Sequence, residues 1–108
     1  MIWIIDDDST YAGLLCQRIA GQGLVVSAGR LLPTTVGPTD VYLVDLGCLR
    51  DLSQAGLMEI DSARLLVMTG LNMRMAQRIG ARIGASRVMQ KPLDLAILIP
   101  LLRELVSR

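Results

Sequence analysis

Few residues in this chain can do polar chemistry, and they come in an order. Asp6-Asp7-Asp8 follows the apolar run Ile2-Trp3-Ile4-Ile5, and Asp45 closes Val41-Tyr42-Leu43-Val44. Thr69 closes Leu66-Val67-Met68, and Lys91-Pro92 follows Arg87-Val88-Met89-Gln90. Lys91 is the only lysine, the other ten of the eleven basic residues being arginine. The choice matters, because an ammonium is a compact point charge and a guanidinium a planar fork. Carboxylates gathered in one pocket repel one another and take up protons unless a cation neutralises them. Oxygen donors of this kind suit Mg²⁺, which keeps several waters and binds one or two carboxylates together with a phosphate oxygen. A neighbouring lysine adds positive charge without competing for the metal, and a threonine adds a neutral hydroxyl. Together these groups meet the needs of an aspartyl phosphate: a carboxylate nucleophile, cations against the charge of the transferring phosphoryl, and a donor to hold one of its oxygens.

Taken singly, each feature has a structural explanation: Asp after a strand caps the next helix, Thr favours strands, and Lys-Pro makes turns. Their common placement is what the elements must supply. Apolar runs rich in branched residues recur at Met1–Ile5, Leu24–Ser27, Val41–Val44, Arg64–Met68 and Arg87–Gln90. Continuous runs of this length read as strands buried on both faces. Helical patterns lie between them. Thr10–Gly21 carries Leu14, Leu15, Ile19 and Ala20 behind a capping Ser9, and Asn72–Gly84 carries Ala76, Ile79 and Ile83 between Asn72 and Gly84. Leu95–Val106 follows Asp94 as cap. This alternation predicts right-handed βαβ crossovers and a doubly wound parallel α/β sheet. In such a sheet ligands bind outside the carboxyl ends of the strands, so the four polar features converge on one edge. Two connections are irregular. Gly29–Asp40 contains Pro33, Gly37 and Pro38, so the second helix is expected to be reduced or absent; at ~3.3 Å per extended residue the segment still spans the crossover. Gly47–Asp61 has room for a short helix over Ser53–Glu59, weakened by Gly56.

The 108 residues, 52% of them apolar, predict a single domain with one filled core. No run approaches the ~20 apolar residues of a membrane span, and no basic segment precedes the first apolar run, so a cytoplasmic protein without membrane association is expected. A net charge of +1 gives no reason to expect direct binding to nucleic acid. Cys16 and Cys48, with no histidine in the chain, suggest neither a disulfide framework nor a zinc site.

The strings Ile4-Ile5-Asp6-Asp7-Asp8, Val41-Tyr42-Leu43-Val44-Asp45, Leu66-Val67-Met68-Thr69-Gly70 and Gln90-Lys91-Pro92-Leu93-Asp94 resemble, in order, the signature segments of response-regulator receiver domains. The resemblance covers essentially the whole chain. It implies a flavodoxin-like five-stranded parallel sheet in the order 2-1-3-4-5. It also implies that Asp45 is the phosphoacceptor, that Asp7 binds Mg²⁺ directly and Asp6 mostly through water, and that the Gly47 backbone carbonyl completes the metal site. Thr69 would bind a phosphoryl oxygen, Lys91 would pair with the phosphoryl group, and the Lys91-Pro92 bond would be cis. The donor would be a phosphohistidine on a sensor histidine kinase or phosphotransfer protein, and the chain would be a regulatory phosphoacceptor rather than an enzyme. The sequence departs from the family in three places. Val88 stands where an aromatic usually lies three residues before the lysine, the second helix is curtailed, and Gly47-Cys48-Leu49-Arg50 replaces the usual Pro and Gly turn.

Asp6-Asp7-Asp8-Ser9-Thr10 also satisfies Asp-x-Asp-x-Thr and so resembles the motif of haloacid-dehalogenase-type phosphatases, with Asp6 as nucleophile and Asp8 as acid/base. That family needs a further acidic pair, whereas beyond Lys91 the chain offers only Asp94 and Glu104, and Asp45 would have no role. A second alternative is a receiver-like interaction module indifferent to phosphate. Two surfaces suggest partners. Arg74, Arg78 and Arg82 form one helical stripe able to meet an acidic partner. The 95–106 helix is apolar nearly all round and contains Pro100, which predicts a bend that presents Leu98, Ile99 and Leu102 to a second copy or a protein partner. The expected docking face combines the 72–84 helix, the 87–90 strand and the 95–106 helix.

Overall fold

The computed structural model describes the backbone at every position except Ser53 and Leu71, and side chains at all positions but those two, Arg50, Asp51, Gln54 and Ala55. The five strands are β1 (Ile2–Ile5), β2 (Val26–Gly29), β3 (Val41–Asp45), β4 (Leu65–Thr69) and β5 (Arg87–Gln90). All neighbouring pairs are parallel, and the order is β2-β1-β3-β4-β5. Helices α1 (Ser9–Ala20), α2 (Gln54–Glu59), α3 (Met73–Ile83) and α4 (Leu95–Ser107) complete the described elements, with short 3₁₀ turns at Leu46–Asp51 and Ser62–Arg64. The fold is therefore the doubly wound parallel α/β sheet the sequence pattern predicts, in the flavodoxin-like order the resemblance implies. Residues 30–40 run as turns and bends, without a helix between β2 and β3.

Central strands are buried on both faces, which is why their sequences read as unbroken apolar runs. Alternate residues feed two core layers. Ile2, Ile4, Leu43, Leu66 and Met68 pack with α1 and α4, while Ile5, Tyr42, Val44 and Val67 pack with the 46–60 segment and the inner side of α3. β2 begins two residues later than the apolar run Leu24–Ser27 suggests. It is an edge strand, only half-buried, and Val25 is exposed, so apolar continuity does not mark its ends. The cap of α1 is Asp8, whose carboxylate accepts from the Tyr11 N–H, and not Ser9, which is the first helical residue. Its core face is Ala12, Leu15 and Ile19, at spacings of three and four; Leu14 is half exposed and Ala20 faces out. Asn72, Asp94 and Gly84 cap as expected, Gly84 in the left-handed conformation at φ 76°. The short helix predicted over Ser53–Glu59 appears as α2 from Gln54; Ser53 lies outside the described residues.

α4 corrects one expectation. It runs through Pro100 as a single helix, and Leu98, Leu102 and Leu105 all face the core. Leu98 and Leu102 are fully buried within the chain and so are not offered to a partner, and Ile99 is half-buried against the same core. The exposed large apolar residues of α4 are Ile97 and Val106.

The helix-free crossover is held by side chains from the sheet. The indole Nε1 of Trp3 donates to Asp40 Oδ2 at 3.0 Å, and the Gly37 N–H donates to the hydroxyl of the buried Tyr42 at 3.1 Å. Burial raises the Tyr42 phenol, with the Gly37 bond opposing and the Asp40 charge reinforcing the shift. At the opposite end of the sheet from the polar cluster, the buried Arg64 ties three segments together. Its Nη1 donates to the carbonyls of Leu105 (2.5 Å) and Thr39 (3.1 Å), and its Nη2 to that of Arg108 (3.2 Å). Guanidinium donors suit the free carbonyls at the end of a helix. Arg64→Met should therefore destabilise the fold by about 2–3 kcal/mol in urea unfolding, since several charge-assisted bonds go at once; Arg64→Lys should fall between.

α3 approaches the sheet through Gly80, where an added Cβ would lie 2.7 Å from Val88 Cγ2. Alanine is worth up to about 1 kcal/mol over glycine in a helix, yet overpacking costs about 1–3 kcal/mol. Gly80→Ala should therefore lower the urea midpoint in the native background and raise it in a Val88→Ala background, a reversal of sign that a double-mutant cycle will read directly.

Candidate functional site

Parallel pairing of β1 with β3 sets Ile5 opposite Val44, which brings the next residues, Asp6 and Asp45, side by side at the carboxyl ends. Here the sheet order reverses, since β1 is followed on one side by β2 and on the other by β3. The crevice above such a reversal is the usual ligand position of doubly wound sheets. Thr69 ends β4 and is buried, and its carbonyl accepts the Lys91 N–H at 2.7 Å, which fixes Lys91 just beyond β5. The Lys91-Pro92 peptide is cis.

Lys91 reaches back across the strand ends. Its Nζ lies 2.6 Å from Asp6 Oδ2 and 2.7 Å from Asp45 Oδ1. The other carboxylate oxygens are held by backbone donors, Asp6 Oδ1 by the Asp8 N–H at 3.0 Å and Asp45 Oδ2 by the Gly47 N–H at 2.9 Å. Asp7 is exposed, with its carboxylate in the same cluster: ligand atoms of Asp6, Asp7, Asp45 and Cys48 all lie within 4.8 Å of one another. The structure thus assembles Asp6, Asp7, Asp45 and Lys91 and sets Thr69 on the adjoining strand end. Gly47 contributes its N–H.

Two residues here escaped the sequence reading. The Tyr11 ring lies under Lys91, with Nζ 5.1 Å from its centroid, and the Tyr11 hydroxyl accepts the Leu93 N–H at 2.9 Å. The ring face favours a cation, and the hydroxyl bond anchors the segment after the lysine. A usable signal was present, since Tyr11 is one of three aromatic residues and lies in the first turn of the helix that follows the acidic triplet. Cys48 is buried beside the carboxylates. Burial pushes its thiol up, a hydrogen bond with the Asp7 backbone pulls the other way, and the charges of Asp7, Asp45 and Asp6 add to the rise. A thiol kept protonated is a poor metal ligand, so the donors on offer are carboxylate oxygens, the set a hard divalent cation such as Mg²⁺ takes. Asp8, by contrast, is committed to capping α1, and the Asp6 side chain is inaccessible and bound to Lys91. The phosphatase-like pairing of Asp6 with Asp8 would therefore use as nucleophile the fully enclosed carboxylate of the two that Lys91 holds, whereas that of Asp45 is 13% exposed.

Three solved structures share this arrangement of strands and helices over almost their whole length. FixJ-N is 20% identical, with 99% of this chain and 93% of that chain covered at a TM-score of 0.72. The receiver domain of the Francisella response regulator 1452 is 17% identical, covering 99% and 96% at 0.69. A response regulator from Colwellia psychrerythraea is 19% identical, covering 99% and 96% at 0.64. The fold is that of a response-regulator receiver domain. No family model matches the sequence, and no curated protein matches it significantly. Receiver architecture is thus kept here on a sequence that shares about one residue in five with those structures.

Within this receiver fold the Lys91 ammonium is the positive charge opposite the acidic cluster. Burial pulls its pKa down, but the hydrogen bonds and charges of Asp45 and Asp6 outweigh burial and leave it raised. A lysine raised on folding stabilises fully below its ordinary value near 10.4 and loses that contribution only as pH climbs through the higher folded value, so the contact persists throughout the neutral range. Removing it strands the buried Asp6 charge. Lys91→Met should cost about 2–4 kcal/mol in chelator, near the lower end of the range for broken buried pairs because Lys91 is not wholly enclosed. Saturating Mg²⁺ should recover more stability in Lys91→Met than in the wild type, because a divalent cation can replace the lost ammonium. Urea titrations of both proteins with and without the metal measure this.

Proposed function

We propose that the chain is a phosphoacceptor module of two-component signalling that takes a phosphoryl group onto Asp45 in a Mg²⁺-dependent reaction. The donor is a phosphohistidine on a cytoplasmic sensor histidine kinase or phosphotransfer protein. The observation that carries this reading is the placement of the Lys91 ammonium 2.6 Å from Asp6 and 2.7 Å from Asp45 beside a third carboxylate, Asp7. A cation so placed serves a phosphorylated state: the same Nζ that holds the Asp45 carboxylate can pair with the oxygens of a phosphoryl group bound to it.

Asp45 acts as nucleophile. One carboxylate oxygen bonds to phosphorus while the nitrogen–phosphorus bond of the phosphohistidine breaks, and the departing imidazole nitrogen keeps the electron pair and takes up a proton. Asp6, Asp7, Asp45 and the Gly47 carbonyl are the groups assigned to Mg²⁺, which when bound offsets the charge of the transferring phosphoryl. Lys91 supplies the second cation, and the Thr69 hydroxyl donates to a phosphoryl oxygen. The product is a modified regulator, and the chain turns over no substrate of its own beyond its own acyl phosphate. Output passes to a protein partner or a second copy through the face of α3, β5 and α4.

Incubation with Mg²⁺ and acetyl phosphate, followed by intact mass measurement, should show one hydroxylamine-labile phosphoryl group in the wild type and none in Asp45→Asn. Label retained in Asp45→Asn but lost in Asp6→Asn would favour the phosphatase-like chemistry. A folded wild type that takes no label would make the chain a phosphorylation-independent interaction module.

A further inference from the structure

Between Asp61 and Asp94 the sequence contains no acidic residue. Of the cations in that stretch, Arg64 and Lys91 are paired with carboxylates. Arg74, Arg78 and Arg82 are exposed on α3, and none has an ion-pair partner among the described residues. Helical spacing sets the three one above another over about 12 Å, at 1.5 Å per residue. Beside this stripe runs an apolar trough between α3 and the 46–60 segment, formed by two adjoining hollows of about 590 and 580 Å³ that share Leu57, Arg82 and Ile83. Leu49, Leu52 and Ile79 line its floor, and the flexible side chains of Met75 and Met58 stand exposed at its rim.

We propose that this trough is a docking site for an acidic amphipathic helix of another protein. The apolar recess accepts one face of such a helix, in the manner of helix-in-groove recognition, and the arginine stripe meets its carboxylates. Charge complementarity of this sort fixes orientation and speeds encounter. The shape favours a peptide over other anionic partners. Apolar atoms line a hollow, whereas a lipid surface calls for a projecting apolar crest, and the hollow offers no aromatic platform on which nucleic-acid bases could stack. The methionines suit a site that adapts to the residues presented to it. This surface exists in the unphosphorylated chain and is distinct from the face of α3, β5 and α4, so the inference does not rest on the phosphoacceptor reading.

The test is fluorescence anisotropy with the unphosphorylated chain and a labelled synthetic helix of about 15 residues, long enough to hold helical structure, that carries a leucine stripe flanked by glutamates at every fourth position. Saturable binding that weakens with salt is expected, with a loss of about tenfold or more in Arg78→Glu/Arg82→Glu, since the reversal sets like charges against the peptide's carboxylates. Met75→Gln should weaken binding while leaving the salt dependence unchanged, and thermal melts should show both variants folded. The proposal is overturned if the labelled helix does not bind, if a scrambled peptide of the same composition binds equally well, or if the double charge reversal binds like the wild type. Co-sedimentation with phosphatidylserine/phosphatidylcholine vesicles, without peptide binding, would assign the arginines to a membrane surface and overturn it as well.

Discussion

Everything at the carboxyl edge of the sheet depends on one ammonium group held between two carboxylates. Asp6 and Asp45 are forced together by the pairing of β1 with β3, and a third acid, Asp7, lies in the same cluster. Three negative charges this close repel one another, and a cation among them offsets the repulsion. Lys91 provides the cation from the far side of β4, and the features around it serve its position: the Thr69 carbonyl on its own N–H, the Tyr11 ring beneath and the Tyr11 hydroxyl on Leu93. The charge is balanced by geometry that only the completed five-stranded order can supply.

Much of this was legible in the sequence, for a physical reason. Strands buried on both faces carry continuous apolar runs, so β1, β3 and β4 announce themselves, and polar residues placed where those runs stop must stand at strand ends. That logic located Asp6, Asp45 and Thr69, and with the caps Asn72 and Asp94 it located the helices that follow. It failed where burial is partial. β2, on an edge, has no obligatory apolar ends, and the apolar residues counted for α1 do not by themselves give its inward face, since Leu14 and Ala20 are exposed. The face of α4 was misread for a related reason. The sequence shows that the helix has more apolar residues than one stripe requires, but which three turn inward is decided by the angle at which it lies on the sheet.

Tyr11 and Cys48 were missed because neither stands at a strand end, where the apolar runs point. Their part in the site comes from the folded arrangement: Tyr11 bonds to Leu93, 82 positions away, and Cys48, in the 3₁₀ turn after β3, meets Asp6 and Asp7 from the end of β1. Val88 shows the reverse situation. The sequence flags it as an unusual small residue, and the structure supplies a context, since it lies directly beneath Gly80 at a contact that leaves no room for an added methyl group.

The crossover between β2 and β3 has a consequence for the order in which the chain folds. A helical crossover carries its own ladder of backbone hydrogen bonds and can begin to form locally within about a microsecond. Residues 30–40 have no such ladder; what fixes them are the indole of Trp3 on β1, the phenol of Tyr42 on β3, and the packing of Leu32 and Val36 on the sheet. Those holdfasts come into register only once β1 and β3 have paired, which closes a loop of nearly forty residues against its entropy. The order of this segment thus depends on the pairing at the centre of the sheet, a contact between residues far apart in sequence.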